Sequence, residues 1–275
     1  MPKLASPVHL ERIERQRDVI YRRMRTRRIR TMDDAAKFID AVGFALLFAS
    51  TQAIELPSLF EAVKGRRDAH IEDWDADSDR VWVWKNDLAA TKRAYYGKAL
   101  AGGKPVFISL KMLPFLLAAS SIDDIGTAYQ RGQISQDAKR LHDTLDVMGP
   151  TPTMALRAAA GMDNQRYHRA LDELQRGLVI LPVGAVNEHG AWPSQIFDLT
   201  PRWFPHQAER AHHIDVAQAR RVIVSRYVET VLACKIPMLT RVFGWRRDQT
   251  ITTLDELAAR RKLTTKDDWI IKNAK

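Results

Sequence analysis

The 275-residue sequence predicts a mainly α fold with small β-wings, an α+β class arranged as tandem winged-helix (helix-turn-helix) domains. Three observations lead there. Residues 135–199 read as helix, helix, helix and β-hairpin, in the order of a winged helix. The segments on both sides repeat helix starts and stops with short apolar strands between them. The charge balance is basic: 43 Lys+Arg against 33 Asp+Glu give +10, with a pI near 9.8, a footprint that favours a polyanion partner.

The central segment carries the clearest signals. Ser135 opens a helix with Ala138, Leu141, Leu145 and Met148 on one side, stopped by Gly149 and Pro150. Thr153 is the expected cap of a short helix over Met154–Ala160, which Gly161 ends. Asp163 or Asn164 caps a third helix, Gln165–Arg176, whose Tyr167, Ala170, Leu171 and Leu174 recur at i, i+3, i+4 and i+7. Gly177 closes it. Leu178–Val183 and Gln195–Leu199 then read as the two strands of a wing around a polar tip.

Before it, residues 1–30 form a basic helix or arm, and residues 31–134 an N-terminal winged-helix-like domain. Thr31 caps a helix with Ala35, Phe38, Ile39 and Val42 on its apolar face and Gly43 at its stop. Ser58 or Pro57 opens another, closed by Gly65. Residues 70–80 are acidic and turn-rich, an expected loop. Val106–Ile108 reads as a strand and Ser109–Ser120 as a buried helix capped by Ser109. After the central domain, 135–205, residues 206–275 are expected to form a C-terminal winged-helix-like unit without a full wing. Its parts are a helix over Val216–Leu232, a short one over Pro237–Phe243, another opened by a capping box at Thr253–Glu256, and a terminal strand over Leu263–Ile271.

Several chemistries have no support. Cys234 is the single cysteine, in an apolar run that predicts a small core residue, so neither a disulfide framework nor a Cys/His zinc site is expected. His212, His213 and Asp215 lack a third ligand at suitable spacing and read as a solvated approach to a helix. No Gly-rich phosphate loop, GxSxG elbow or HExxH occurs. No metal and no small-molecule cofactor is expected. No apolar run approaches the roughly 20 residues that span a bilayer, and no secretory signal is visible, so a cytoplasmic protein is expected. Trp82 and Trp84 have two readings, base stacking or packing, and packing is favoured.

The last helix of a helix-turn-helix trio enters the major groove. Off its apolar face the third central helix carries Asn164, Gln165, Arg166, His168, Arg169, Asp172 and Arg176, residue types that read base edges and phosphates. Lys64, Arg66 and Arg67 after the Ser58 helix, and Arg27 and Arg28 in the basic arm, complete the candidate DNA contacts. Double-stranded DNA is the expected partner.

Three stretches resemble a known family. They are Gly149-Pro150-Thr151-Pro152-Thr153 with Leu156-Arg157 and Ala160-Gly161; Arg169 to Leu178; and Ile196-Phe197-Asp198-Leu199-Thr200-Pro201-Arg202-Trp203-Phe204-Pro205. Together they resemble the AlkZ/YcaQ-type winged-helix DNA glycosylases, nearest to the AlkZ-related proteins, over about Thr31 to Leu263. The resemblance implies tandem winged helices around a DNA channel and excision of alkylated, including crosslinked, bases. The family site is a Gln-x-Gln or Gln-x-Asp motif that positions or activates water. Its place here falls on Ala53-Ile54-Glu55. Glu55 then stands for the acid as general base, Ala53 replaces the first Gln, and Gln52 is adjacent. An acid favoured by a helix N-terminus is the alternative account of Glu55. The readings left open are a DNA-binding relative without the chemistry, an active monofunctional glycosylase, and a transcriptional regulator or protein-interaction scaffold.

Overall fold

In the computed structural model, residues 10–49, 55–67, 69, 74–100, 103–120, 122, 124–187 and 193–273 are described. Helix α1 (Leu10–Ile20) and a 3-10 turn (Arg25–Arg27) come first. Then one order of elements, helix, strand, helix, helix, strand, strand, occurs three times. The first round is α2 (Met32–Val42), β1 (Phe44–Leu46), α3 (Leu59–Lys64), α4 (Ala76–Ala90), β2 (Tyr95–Gly97) and β3 (Val106–Ile108). Helices α5 (Leu113–Ala119) and α6 (Ile125–Gln130) lead to α7 (Gln136–Met148), β4 (Thr151–Pro152), α8 (Thr153–Ala159), α9 (Asn164–Arg176), β5 (Ile180–Val186) and β6 (Ser194–Leu199). Helices α10 (Thr200–Trp203) and α11 (Pro205–His212) lead to α12 (Val216–Val231), β7 (Ala233–Lys235), α13 (Ile236–Phe243), α14 (Arg247–Ala259), β8 (Leu263–Lys266) and β9 (Trp269–Lys272). The sheets repeat one antiparallel order, β1-β3-β2, β4-β6-β5 and β7-β9-β8. The chain is thus α+β, mainly helical, with three winged-helix-like units.

Local signals explain most starts and stops. Thr31 accepts from the Asp34 N–H, Ser58 from Glu61, Ser135 from Ala138 and Asp163 from Arg166. Gly43 (φ +83) and Gly65 (φ +67) end α2 and α3 in a region that L side chains avoid.

Other expectations are corrected. The acidic stretch before Val81 is not all loop: α4 begins at Ala76, because Asp75 accepts from the Asp77 and Ser78 N–H groups and Asp77 and Asp79 sit favourably in its first turn. Residues 70–73 lie outside the described residues. Helix α5 starts at Leu113 rather than Ser109, although Ser109 Oγ still accepts from Met112 at 3.3 Å. Thr153 does not cap α8; its hydroxyl donates to Gln195 O at 3.0 Å and ties the helix to the wing. The third unit has the wing it was expected to lack. The stretch taken for one strand turns at Asp267 (φ 52), between the paired Lys266 and Trp269. Nor does Thr253 open a helix. Helix α14 is already two turns old there, and the Thr253 hydroxyl bonds back to Gln249 O at 2.9 Å.

Three apolar clusters hold the units. Phe38, Leu59, Phe60 and Phe107 centre the first unit, and Leu141, Leu145, Tyr167, Leu174 and Phe197 the second. The third cluster crosses a boundary: Phe44, Tyr95 and Leu113 pack with Ile223, Tyr227, Leu239 and Leu254, and Cys234 lies in it fully buried. Hydrogen bonds reinforce the seam, Thr230 Oγ1 donating to Val42 O at 2.7 Å. The Asp198–Arg202 part of the third family-like stretch is a clamp. Buried Asp198 accepts from Arg202 Nε at 2.8 Å, and Arg202 Nη2 donates to Leu145 O at 2.9 Å, near the C-terminus of α7. Among the described residues no helix is long and apolar enough to cross a membrane.

Candidate nucleic-acid interface

Helix α9 divides sharply by chemistry. Tyr167, Ala170, Leu171, Leu174 and Gln175 are buried, whereas Asn164, Gln165, Arg166, His168, Arg169 and Arg176 are exposed. The 3.6-residue period puts the first set on the core and the second outward. Its C-terminal half is pinned to the first unit: Gln175 Oε1 accepts from Lys98 N–H at 3.2 Å, and Lys98 Nζ pairs with Asp172 at 2.7 Å.

The outward face borders a cleft of about 1160 Å³. Asn164, Gln165, His168, Arg169 and Arg176 line it from α9, and Arg220, Trp245, Arg246 and Gln249 from the third unit. The cleft is basic, with Arg169, Arg176, Arg220 and Arg246 lining it against Asp172 and Glu173. Asp172 holds Lys98, and Glu173 accepts from Ser135 N–H at 2.6 Å and Ser135 Oγ at 2.7 Å. Arg246 pairs with Asp248 at 2.7 Å, and Arg176 Nε donates to Asp172 O at 3.2 Å. Arg169 and Arg220 have no carboxylate partner among the described residues.

Sequence reasoning found the α9 wall and missed the other. Arg220 lies on α12, Gln249 on α14, and Trp245 and Arg246 just before α14, and only the tertiary packing brings them to α9.

Other candidates are engaged elsewhere. Arg166 forms a two-pronged bond with Asp137, at 2.9 and 2.5 Å, beside the first turn of α7. Arg67 does the same with Asp18 at 2.6 Å. Lys64 pairs with Asp75, and Arg28 lies 3.7 Å from Asp77. Arg27 and Arg66 are exposed and away from the residues that line the cleft. His212 ends α11, Asp215 caps α12, and among the described residues no His/Cys/Asp/Glu group is arranged to hold a metal ion. Trp82 meets Trp74 edge-on at 5.8 Å, and Trp84 packs against the first unit's core.

Glu55 lies apart from this cleft. It precedes α3 by three residues outside the helix, so the helix-terminus account does not apply. Its partner is Arg17 of α1, at 2.8 Å. Arg17 is buried, pairs also with Glu14 at 2.6 Å, and donates to Val231 O at 2.9 Å and Ala233 O at 2.7 Å. These carbonyls flank Leu232, a non-glycine residue at φ 65 where α12 ends, so the guanidinium caps a strained helix end. Burial raises the Glu55 carboxyl above the usual range, against the pull of Arg17. Burial works against the Arg17 charge, yet Tyr21, Glu55 and Glu14 hold its pKa above the ordinary guanidinium value. Within the stretch expected to be a basic helix or arm, α1 is held to the seam of the first and third units by these bonds. Gln52, Ala53 and Ile54 lie outside the described residues.

Searches against curated proteins and against solved structures find no match. A family model described as AlkZ related matches residues 29–244, well over half of the chain. The chain belongs to the AlkZ-related family.

Proposed function

We propose that this chain is a DNA-binding protein of three tandem winged-helix domains, with double-stranded DNA held against the cleft beside α9. One observation carries the reading: Asn164, Gln165, Arg169 and Arg176 share one cleft with Arg220 and Arg246 of another unit. Guanidinium groups there serve phosphates, and Asn and Gln serve base edges. Fluorescence anisotropy of a labelled duplex, titrated at several salt concentrations, tests it. Binding is expected to weaken steeply with salt, and Arg169→Ala with Gln165→Ala should weaken it about tenfold. Absent binding, or affinity indifferent to salt, overturns the reading in favour of a protein-interaction scaffold.

A second reading rests on the family match, which includes Glu55, and the Arg17 ion pair on that carboxylate weighs against it. In it the protein is a monofunctional glycosylase and Glu55 the general base for water. Single-turnover excision from a duplex carrying an N7-alkylated purine tests it, run beside Glu55→Gln. Base release by the wild type, lost in the variant while DNA binding survives, supports it. No release by the wild type, or equal release by both, overturns it and leaves a DNA-binding relative without the chemistry.

A further inference from the structure

We propose that Arg220 is a phosphate-binding residue of the cleft, set in place by an aromatic platform of Phe243 and Trp245, with Arg169 as its counterpart on α9. The proposal rests on the cleft being the interface, and it names a residue that sequence reasoning did not assign to the oxyanion of a phosphate ester.

The platform is geometric. Phe243 and Trp245 stack with ring centroids 4.9 Å apart and planes 23° from parallel. The Arg220 guanidinium lies over the Trp245 ring, 5.7 Å from its centroid. A guanidinium lying on a ring keeps its N–H edge free for a planar, two-pronged acceptor, and some of its rotamer entropy is already lost. Among the described residues the half-buried Arg220 side chain forms no ion pair, and its Nε is buried without a hydrogen-bond partner. A buried donor left unmade is costly and asks for an explanation. Its neighbours on α12 show the contrast, since Arg221 pairs with Glu256 at 2.5 Å and Arg226 lies 3.5 Å from Glu229.

The ligand class follows. An acceptor here meets Arg169, Arg176 and Arg246 in the same cleft, so it is anionic, and phosphate oxygens match the guanidinium fork. The volume, about 1160 Å³, far exceeds a single inorganic phosphate, which favours a phosphodiester of the DNA backbone over a free ion. Arg220 and Phe243 lie within the family match, whereas Trp245, Arg246 and Gln249 lie beyond residue 244 and outside it.

The full chain is titrated with a labelled duplex across a salt series as wild type, Arg220→Gln and Arg220→Lys. Loss of one phosphate contact should lower the salt slope by about 0.9, and Arg220→Gln should weaken binding about tenfold. Arg220→Lys keeps the charge and should restore the slope while staying about threefold weaker, because the planar fork is gone. Circular dichroism verifies that both variants fold. Steep wild-type binding left unchanged by Arg220→Gln overturns the clamp and leaves the interface standing. If the wild type binds no duplex, the interface reading fails by itself. The clamp is then decided by titrating inorganic phosphate and deoxyadenosine monophosphate against the Arg220 Nε–H NMR signal, identified by its loss in Arg220→Lys. A saturable shift makes this a site for free phosphate esters, and an unmoved signal overturns it.

Discussion

Helices α4 and α9 occupy the same place in successive repeats and have opposite fates. Both are the last helix before a wing, and both are capped by an aspartate. Yet α9 keeps a polar face on an open cleft, while α4 lies against the wing of the second unit. Trp203 Nε1 donates to Ala89 O at 3.1 Å there, and a Cβ at Gly184 of β5 would meet Ala90 Cβ at 3.9 Å. The repeated topology therefore makes three places for a recognition helix without making three equivalent surfaces. Which of them stays open is decided by packing between units.

The largest expected effect breaks the two faces of α9 apart. Leu174 is fully buried in the second unit's core, so Leu174→Ala should cost about 2–5 kcal/mol. Gln165 and Arg169 are exposed, and replacing either with Ala should change stability by no more than about 0.5 kcal/mol. Urea denaturation of the three variants measures this. Comparable losses at Arg169 and Leu174 would mean that the polar face is packed rather than open.

Residues whose order follows local periodicity were the legible ones. The caps Thr31, Ser58, Ser135 and Asp163, the core positions of α2, α7 and α9, and the second unit's wing all follow from rules acting within one or two turns. Strands of two or three residues, such as β1, β4 and β7, leave too short a pattern to read, and their pairing partners lie far along the chain. Thr253 misled because a hydroxyl followed three residues later by Glu256 marks a helix start, whereas the same hydroxyl inside a helix satisfies itself on the preceding turn. For the candidate site, the α9 wall was readable from its amphipathic pattern. Arg220 meets Trp245 from residue 220 to residue 245, and Arg17 braces Glu55 across 38 positions. No local rule carries those.

The next effect is a gain. Lys85 is 5% exposed on α4, with its ammonium 3.9 Å from the centre of the Trp82 ring and 3.2 Å from Asn86 Oδ1. Among the described residues no carboxylate pairs with it, and burial lowers its pKa from the ordinary 10.5 to about 8. Between those values the unfolded chain holds a proton that the fold has released, so stability rises with pH across that window. Below about pH 8 the burial penalty is present in full. Lys85→Met should therefore stabilise the fold by about 2 kcal/mol at pH 7, a difference that shrinks toward pH 10.5. Thermal melts of both proteins from pH 7 to 10 measure it. A constant difference would show that the Lys85 charge is solvated, and with it that α4 is less closed than α9 is open.

The smallest expected effect compares the two caps. Asp163 accepts one backbone N–H, from Arg166 at 2.9 Å, and its loss in Asp163→Ala should cost about 1 kcal/mol. Asp75 accepts two, from Asp77 at 3.1 Å and Ser78 at 3.0 Å, and also pairs with Lys64. The Lys64 ammonium, followed by the Ser78 N–H, lowers its carboxyl to about 2. A lowered carboxyl stabilises the fold above its unfolded value, near 3.8, and that contribution fades as pH falls toward about 2. The side chain is half exposed, so solvent screening limits the charge contribution to about 0.5–1 kcal/mol. Asp75→Asn keeps the acceptor and removes the charge. It should cost less than Asp163→Ala at pH 7 and only a small fraction of that at pH 2. Urea midpoints at the two pH values separate the contributions. A loss at Asp75→Asn that persisted at pH 2 would place the strength of this cap in its shape rather than its charge, and the two helix starts would then differ only in how many amides they satisfy.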